Sequence, residues 1–254
     1  MNSHIVITDT ASAEMAKYAA NCFLAMKLSY VNAISELCEK TGTDVADVLD
    51  AMGRDSRIGS SFLSPGPGWG GSCLPKDVYA LARTARAAKM DFPLLRATIE
   101  TNNMQHQRVV DKVRSAVGGR LSGARIGLLG LAFKAGTDDV RESPALAVAR
   151  QLAAEGAHLK GYDPQVREEL EAVTAVDDLY TVAKQADALV ILTEWPEFRS
   201  LNWPHIAELM NRPVVIDTRN HLDPAVVARA GLDWQGTGRR TARRVEREIT
   251  GSPI

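Results

Sequence analysis

The sequence predicts an α/β protein in which an all-helical unit with one long, buried helix precedes a doubly wound parallel α/β unit. Three observations carry this expectation. Residues 10–118 show helical periodicity with almost no strand signal. From Arg125 onward, short buried strands alternate with helices at the spacing of βαβ units. Between the two, Gly118–Ser122 marks the change of texture. The expected units are residues 1–118 and 119–236, followed by a basic tail over 237–254.

The first helix is expected from Ser12 to Lys40. Ser12 can cap it, Ala13 and Glu14 open its first turn, and Gly42 follows its end. Met15, Tyr18, Phe23, Met26, Val31 and Leu37 place apolar groups on nearly every face. Such a helix needs neighbours on all sides, from its own unit and from another subunit. Upstream, Ile5 to Ile7 is the one strand signal in this half. A short helix follows at Asp44–Met52, capped by Thr43 or Asp44, and then an irregular Gly/Pro-rich stretch from Gly53 to Ser72. Pro75 suits the first turn of a helix running to about Lys89, and another helix spans Pro93 to Gly118-Gly119. In the second half, strands are expected at Arg125–Gly130, His158–Tyr162, Ala188–Leu192 and Val214–Asp217. Helices near 145–155, 179–185 and 205–210 separate them. Thr237–Ile254 is basic without an apolar stripe and reads as a solvated tail.

Bulk properties exclude several classes of function. The chain has 254 residues, 45% hydrophobic and 24% charged, which is ample for a buried core. A net charge of −1 and a pI near 6.5 supply no basic field for nucleic acid or a membrane surface. No apolar run approaches the ~20 residues of a spanning helix, and no signal peptide opens the chain. Three cysteines suit a reducing, cytoplasmic setting. Cys22 and Cys38 read as core packing, and His106, His158 and His221 have no metal-ligand spacing.

Gly66-Pro-Gly-Trp-Gly-Gly71 matches G-x-G-x-x-G letter for letter, yet a dinucleotide fingerprint needs a strand before it and a helix opening within it. Here loop formers precede it and prolines flank the first glycine. These glycines are better explained as letting the backbone approach something bulky. The segment that follows is Gly70-Gly-Ser-Cys-Leu-Pro-Lys-Asp77. Cys73 stands just before a helix, where unpaired N–H groups favour a thiolate, and Asp77 lies one turn on. From local chemistry both a nucleophile and a small packing residue remain open.

With AEMAKYAAN upstream and GLAFKAGTDDVRESP downstream, GGSCLPKD resembles the UDP-glucose/GDP-mannose dehydrogenase family, and within it the UDP-glucose 6-dehydrogenases. The resemblance runs from about Thr8 to Asn220. It implies a central catalytic and dimerisation domain followed by a Rossmann-like UDP-sugar domain. The implied activity is oxidation of a sugar C6 alcohol to a carboxylate with two NAD⁺. The matching nucleophile is Cys73, which would carry a thiohemiacetal and then a thioester. Lys17 and Asn21 fit the oxyanion-stabilising pair. They lie four residues apart on one helix face, and both interrupt an apolar segment. Asp77 fits the carboxylate that orders water with Lys17. The resemblance further implies backbone contacts to substrate from Phe62, Leu63 and Ser64, with Trp69 and Gly70 near the uracil or ribose. It gives Lys134 and Arg219 UDP contacts and has Arg57 reaching a neighbouring subunit's site. Ser72, Lys76 and Arg141 would lie on the cofactor side. The implied partners are UDP-glucose or a related nucleotide sugar and a second copy of the chain.

One departure stands out. The family opens with a strand–GxGxxG–helix domain that binds NAD, and nothing of that kind precedes Ser12. The chain is therefore expected to lack the redox half, to bind UDP-sugar weakly and to transfer no hydride unless a separate NAD-binding domain joins it. The alternatives are a GDP-mannose 6-dehydrogenase or a non-catalytic UDP-sugar-binding and dimerisation module.

Overall fold

The computed structural model describes residues 5–167 and 169–245. Helix α1 (Thr10–Thr41) is capped by Asp9, whose Oδ1 accepts the Ser12 N–H at 2.9 Å. The start is thus earlier than expected, because a free carboxylate three residues upstream outcompetes the Ser12 hydroxyl. The helix stops at Gly42, whose φ of 73° is the left-handed turn that glycine adopts without strain. Helices α2 (Val45–Gly53), α3 (Leu74–Ala87) and α4 (Pro93–Ala116) complete this half. Cys22 and Ala25 of α1 pack with Val78 and Leu81 of α3, Leu95 of α4 and Trp69. Further along α1, Val31 and Cys38 pack with Val45 and Leu49 of α2 and with Leu63.

One expectation fails here. Ile5, Val6 and Ile7 form no strand and are 84–93% exposed, because no second strand among the described residues offers them ladder bonds. Within one chain α1 leaves open the faces expected to meet another subunit. Met15, Phe23, Tyr30 and Leu37 are each about half exposed.

The second half is a six-stranded, all-parallel sheet in the order β3-β2-β1-β4-β5-β6. The strands are β1 (Arg125–Leu129), β2 (His158–Tyr162), β3 (Thr174–Ala175), β4 (Ala188–Ile191), β5 (Val214–Asp217) and β6 (Asp233–Gly236). Helix α5 (Pro144–Ala154) and the C-terminal half of α4 cover one face. Val109, Val110 and Val113 of α4 share a cluster with Ile126, Leu128, Val190 and Ile216. The other face lies under α6 (Leu179–Ala183), a 3₁₀ turn (Pro196–Ser200), α7 (Trp203–Leu209) and α8 (Pro224–Arg229), with Phe198, Trp203 and Ile206 fully buried. Burial on both faces explains the unbroken apolar runs of β1, β4 and β5. Helix α4 begins against α1 and ends on the sheet, so it joins the two halves as one packed element.

The segment after β6 is not a solvated tail as far as Val245. Gly238 accepts the Val45 N–H at 2.8 Å and donates its own N–H to Glu39 at 2.7 Å. Arg239 pairs with Asp44 at 3.2 Å, and Ala242 bridges Trp234 antiparallel. Backbone bonding fixes it where side-chain pattern gave no signal. Residues 246–254 lie outside the described residues. Among the described residues no helix is long and apolar enough to cross a membrane.

Candidate active site

The strand order reverses between β1 and β4, and a crevice at such a point outside the carboxyl ends is where open α/β sheets bind ligands. Lys134 follows β1, Glu194 follows β4 and Arg219 follows β5. The irregular 62–73 segment of the helical half comes down onto this rim. At Gly70 a Cβ would lie 2.1 Å from the Glu142 carbonyl, and at Gly71 one would lie 2.7 Å from the Phe133 ring. The Gly71 N–H donates to Glu142 O at 3.3 Å. Glycine is required there because the loops of two different units touch backbone to backbone.

Cys73 is the N-cap of α3 and is exposed, whereas Cys22 and Cys38 are buried. Burial, followed by the nearby Asp77 charge, pushes the Cys22 thiol up to about 11, so it stays protonated. One turn beyond Cys73, Asp77 is wholly buried. Its Oδ2 accepts from Asn21 Nδ2 at 2.6 Å and lies 3.8 Å from Lys17 Nζ, while Oδ1 has no partner. Lys17 and Asn21 therefore do share one face of α1, and they meet the first turn of α3 at Asp77. A buried carboxylate with one oxygen unpaired is costly unless a water or ligand uses it.

On the sheet side of the crevice, Arg219 reaches inward. Its Nε donates to Leu192 O at 2.9 Å, pairs with Glu194 at 3.1 Å, and Nη2 lies 3.4 Å from Phe133 O. Burial lowers its pKa from the guanidinium norm, and Glu194 and Asp217 oppose that shift. Lys134 is exposed, with Nζ 5.3 Å from the Phe133 ring. Asp163, directly after β2, stands where a dinucleotide fold keeps an acid for the ribose. Here it is 3% exposed and already accepts from Leu131 N (2.7 Å), Ala132 N (3.0 Å) and Trp195 Nε1 (3.0 Å). The glycine turn after β1 is thus closed by its own chain.

Several expected positions read differently in three dimensions. Trp69 does not flank the crevice. It is 5% exposed, and its indole N–H donates to Ser29 Oγ at 2.9 Å, so its ring belongs to the core between α1 and α4. Gly70 lies against Glu142 and Pro144 rather than an open nucleotide pocket, because that loop crosses it. Leu63 is buried, while Phe62 and Ser64 are exposed, Phe62 at a left-handed φ of 60°. Arg57 is 87% exposed and held by Asp55 at 2.6 Å. Arg141 is also exposed and clamped by Asp139 (2.9 and 2.8 Å), close enough to Cys73 for a charge there to act on it. That guanidinium holds the Asp139 carboxyl down to about 2. Ser72 Oγ lies 3.8 Å from the Cys73 sulfur, and Lys76 faces solvent.

Phe133, Glu142, Asp163, Glu194 and three buried amides, Asn32, Asn102 and Gln105, escaped the sequence reading. Only the amides left a signal. Asn102 and Gln105 are polar residues three apart on a seam of α4 that also carries buried Leu95 and Val109.

The family model for the UDP-glucose/GDP-mannose dehydrogenase family, central domain, matches residues 11–104, and the model for that family's UDP binding domain matches 127–224. The chain is 43% identical over 241 residues to a UDP-glucose 6-dehydrogenase of Rhizobium meliloti, covering 93% of this chain and 55% of that protein. It is 42% identical to UDP-glucose 6-dehydrogenase TuaD of Bacillus subtilis, with 95% and 53% coverage. Among solved structures, a UDP-glucose dehydrogenase from Pyrobaculum islandicum superposes with a TM-score of 0.78 at 32% identity, over 90% of this chain and 51% of that one. A UDP-D-ManNAc dehydrogenase from Pyrococcus horikoshii gives 0.82 at 34%, over 94% and 54%. The chain spans about half the length of these relatives. With a helical half and a UDP-binding half both matched and stacked at Cys73, the chain belongs to the UDP-glucose/GDP-mannose dehydrogenase family.

Proposed function

We propose that this chain supplies the thiol and the nucleotide-sugar half of a UDP-glucose 6-dehydrogenase, which converts UDP-glucose to UDP-glucuronate in two oxidations. The observation that carries the reading is an exposed cysteine starting α3, one turn from a buried carboxylate that gathers Asn21 and Lys17. Cys73 Sγ adds to the C6 aldehyde carbon, and the Asn21 amide with the Lys17 ammonium meets the charge on its oxygen. After the second oxidation the sugar is held as a thioester. The unpartnered Asp77 oxygen orders the water that adds to this carbon, and its addition frees the carboxylate and returns the thiol. Lys134 and Arg219 hold the diphosphate end, and the backbone of Phe62–Ser64 lines the sugar side.

NAD, when bound, accepts the hydride in both oxidations. The described residues fit only its edge, where Ser72, Lys76 and Arg141 border Cys73. Neither glycine motif forms a cradle, since Gly66–Gly71 has no preceding strand and the turn after β1 is filled by Asp163. Units of 1–118 and 119–236 remain the proposed division. Apolar side chains left open seven or eight residues apart along α1, at Met15, Phe23, Tyr30 and Leu37, support a homodimer through that helix.

Alkylation of Cys73 by iodoacetamide tests the reading. UDP-glucose should protect the thiol, and Arg219→Ala should weaken that protection. Stronger protection by GDP-mannose would favour the other branch of the family. No protection by either sugar would leave a thiol unrelated to nucleotide sugars.

A further inference from the structure

The Gly66–Gly71 segment belongs to no helix or strand, yet Gly66, Trp69 and Gly71 are buried. Buried backbone N–H and C=O groups need partners, and here side chains of α1 and α4 provide them. Asn32 Oδ1 accepts the Gly66 N–H at 2.9 Å, and Gln105 Nε2 donates to Gly66 O at 2.8 Å. Nearest the thiol, Asn102 makes both bonds of a strand partner by itself. Its Oδ1 accepts the Trp69 N–H at 2.7 Å and its Nδ2 donates to Trp69 O at 3.1 Å. All three amides are no more than 5% exposed.

We propose that Asn102 is a positioning residue for Cys73, its amide locking the Trp69 backbone and thereby the four-residue turn that delivers the thiol beside Asp77. This rests on the reading of Cys73 as the nucleophile. The chemistry of the side chain is specific. Aspartate would offer no donor to Trp69 O, leucine would offer neither bond, and glutamine would overreach. Gly68 is part of the device. Its φ is 132°, and a Cβ there would lie 2.9 Å from Asn102 Oδ1 and 2.7 Å from His106 Nε2. Beyond Trp69 come two glycines, which impose little order of their own, so the turn takes its geometry from the Gly71 bond to Glu142 O and from its two ends. One end is helix α3. The other is the Asn102 clamp, reinforced by the Trp69 indole bond to Ser29. Asn102 touches no reacting atom.

The test compares Asn102→Ala and Asn102→Asp with Val110→Ala, which truncates a fully buried sheet-facing residue of the same helix. Iodoacetamide labelling of Cys73 is read by mass spectrometry in the whole chain, at a temperature where thermal unfolding shows every variant folded. Misplacement of a reacting group by about 1 Å can cost ~10²-fold in rate. Both Asn102 variants are therefore expected to slow labelling several-fold, while Val110→Ala lowers Tm and leaves the rate unchanged. If Asn102→Ala does not fold, Asn102→Asp, which keeps one of the two bonds, carries the test. Unchanged or faster labelling in folded Asn102 variants would overturn the proposal. A Cys73 that labels no faster than buried Cys22 in the unaltered chain would instead remove the nucleophile reading beneath it.

Discussion

Asn21 and Asp77 sit 56 residues apart in sequence and 2.6 Å apart in space, so the amide on α1 holds the carboxylate on α3. This bond ties the helix that begins at the thiol to the long helix. Hydrogen bonds to charged groups contribute about 1.5–3 kcal/mol, and Asn21→Ala should destabilise the chain by that much in urea unfolding. Asp77→Asn has the opposite character. It removes a charge that burial penalises and leaves only the largely exposed Lys17 without its counter-ion. Stability should change by less than about 1 kcal/mol or rise, while thioester hydrolysis in the whole enzyme is lost.

Gly70 allows the 62–73 loop to touch the sheet unit. Gly70→Ala would place a methyl 2.1 Å from the Glu142 carbonyl, and because that atom is backbone the two loops must part. A cost of about 1–3 kcal/mol is expected, with loss of UDP-glucose binding by calorimetry. Intact binding with unchanged Tm would show that the loop contact is dispensable.

His106 on α4 carries a pH dependence. Burial, with Arg150 nearby, lowers its pKa from 6.5 to about 4, and its Nε2 has no partner. The unfolded chain therefore binds the proton more readily than the folded one between those values. The histidine's contribution is complete above pH 6.5 and is lost as pH falls towards 4, by up to roughly 3 kcal/mol. Thermal melts from pH 7 to 5 should show a decline that His106→Gln flattens. Equal slopes in both proteins would contradict this.

The half-exposed apolar residues along α1 should bring two copies together. The chain is expected to sediment as a dimer, and Phe23→Glu should give a folded monomer. Phe23 is 57% exposed within one chain, so the change costs little in the fold itself. A monomeric unaltered chain in ultracentrifugation would remove the proposed interface.

Four strands and the main helices were legible because their signals are local, resting on apolar runs, periodicity, Pro75 and Pro93 in first turns, and Gly42 past an end. Strand β3 has two residues, and β6 reads Asp-Trp-Gln-Gly, so both exist through the strands beside them rather than through their own pattern. The family resemblance implies a place for Trp69 near the uracil or ribose. The indole went to the core because Ser29 could satisfy its N–H.

A cysteine opening a helix with an acid one turn later, and helices giving way to a parallel sheet, are both readable from the residues alone. Both follow from residues a few positions apart. Which oxygen of Asp77 stays free, that Asp163 closes the glycine turn, and that Asn102 serves Trp69 from 33 residues away emerge from packing alone. Buried polar groups must find partners wherever the packed chain brings them, and that choice is made in space rather than along the sequence.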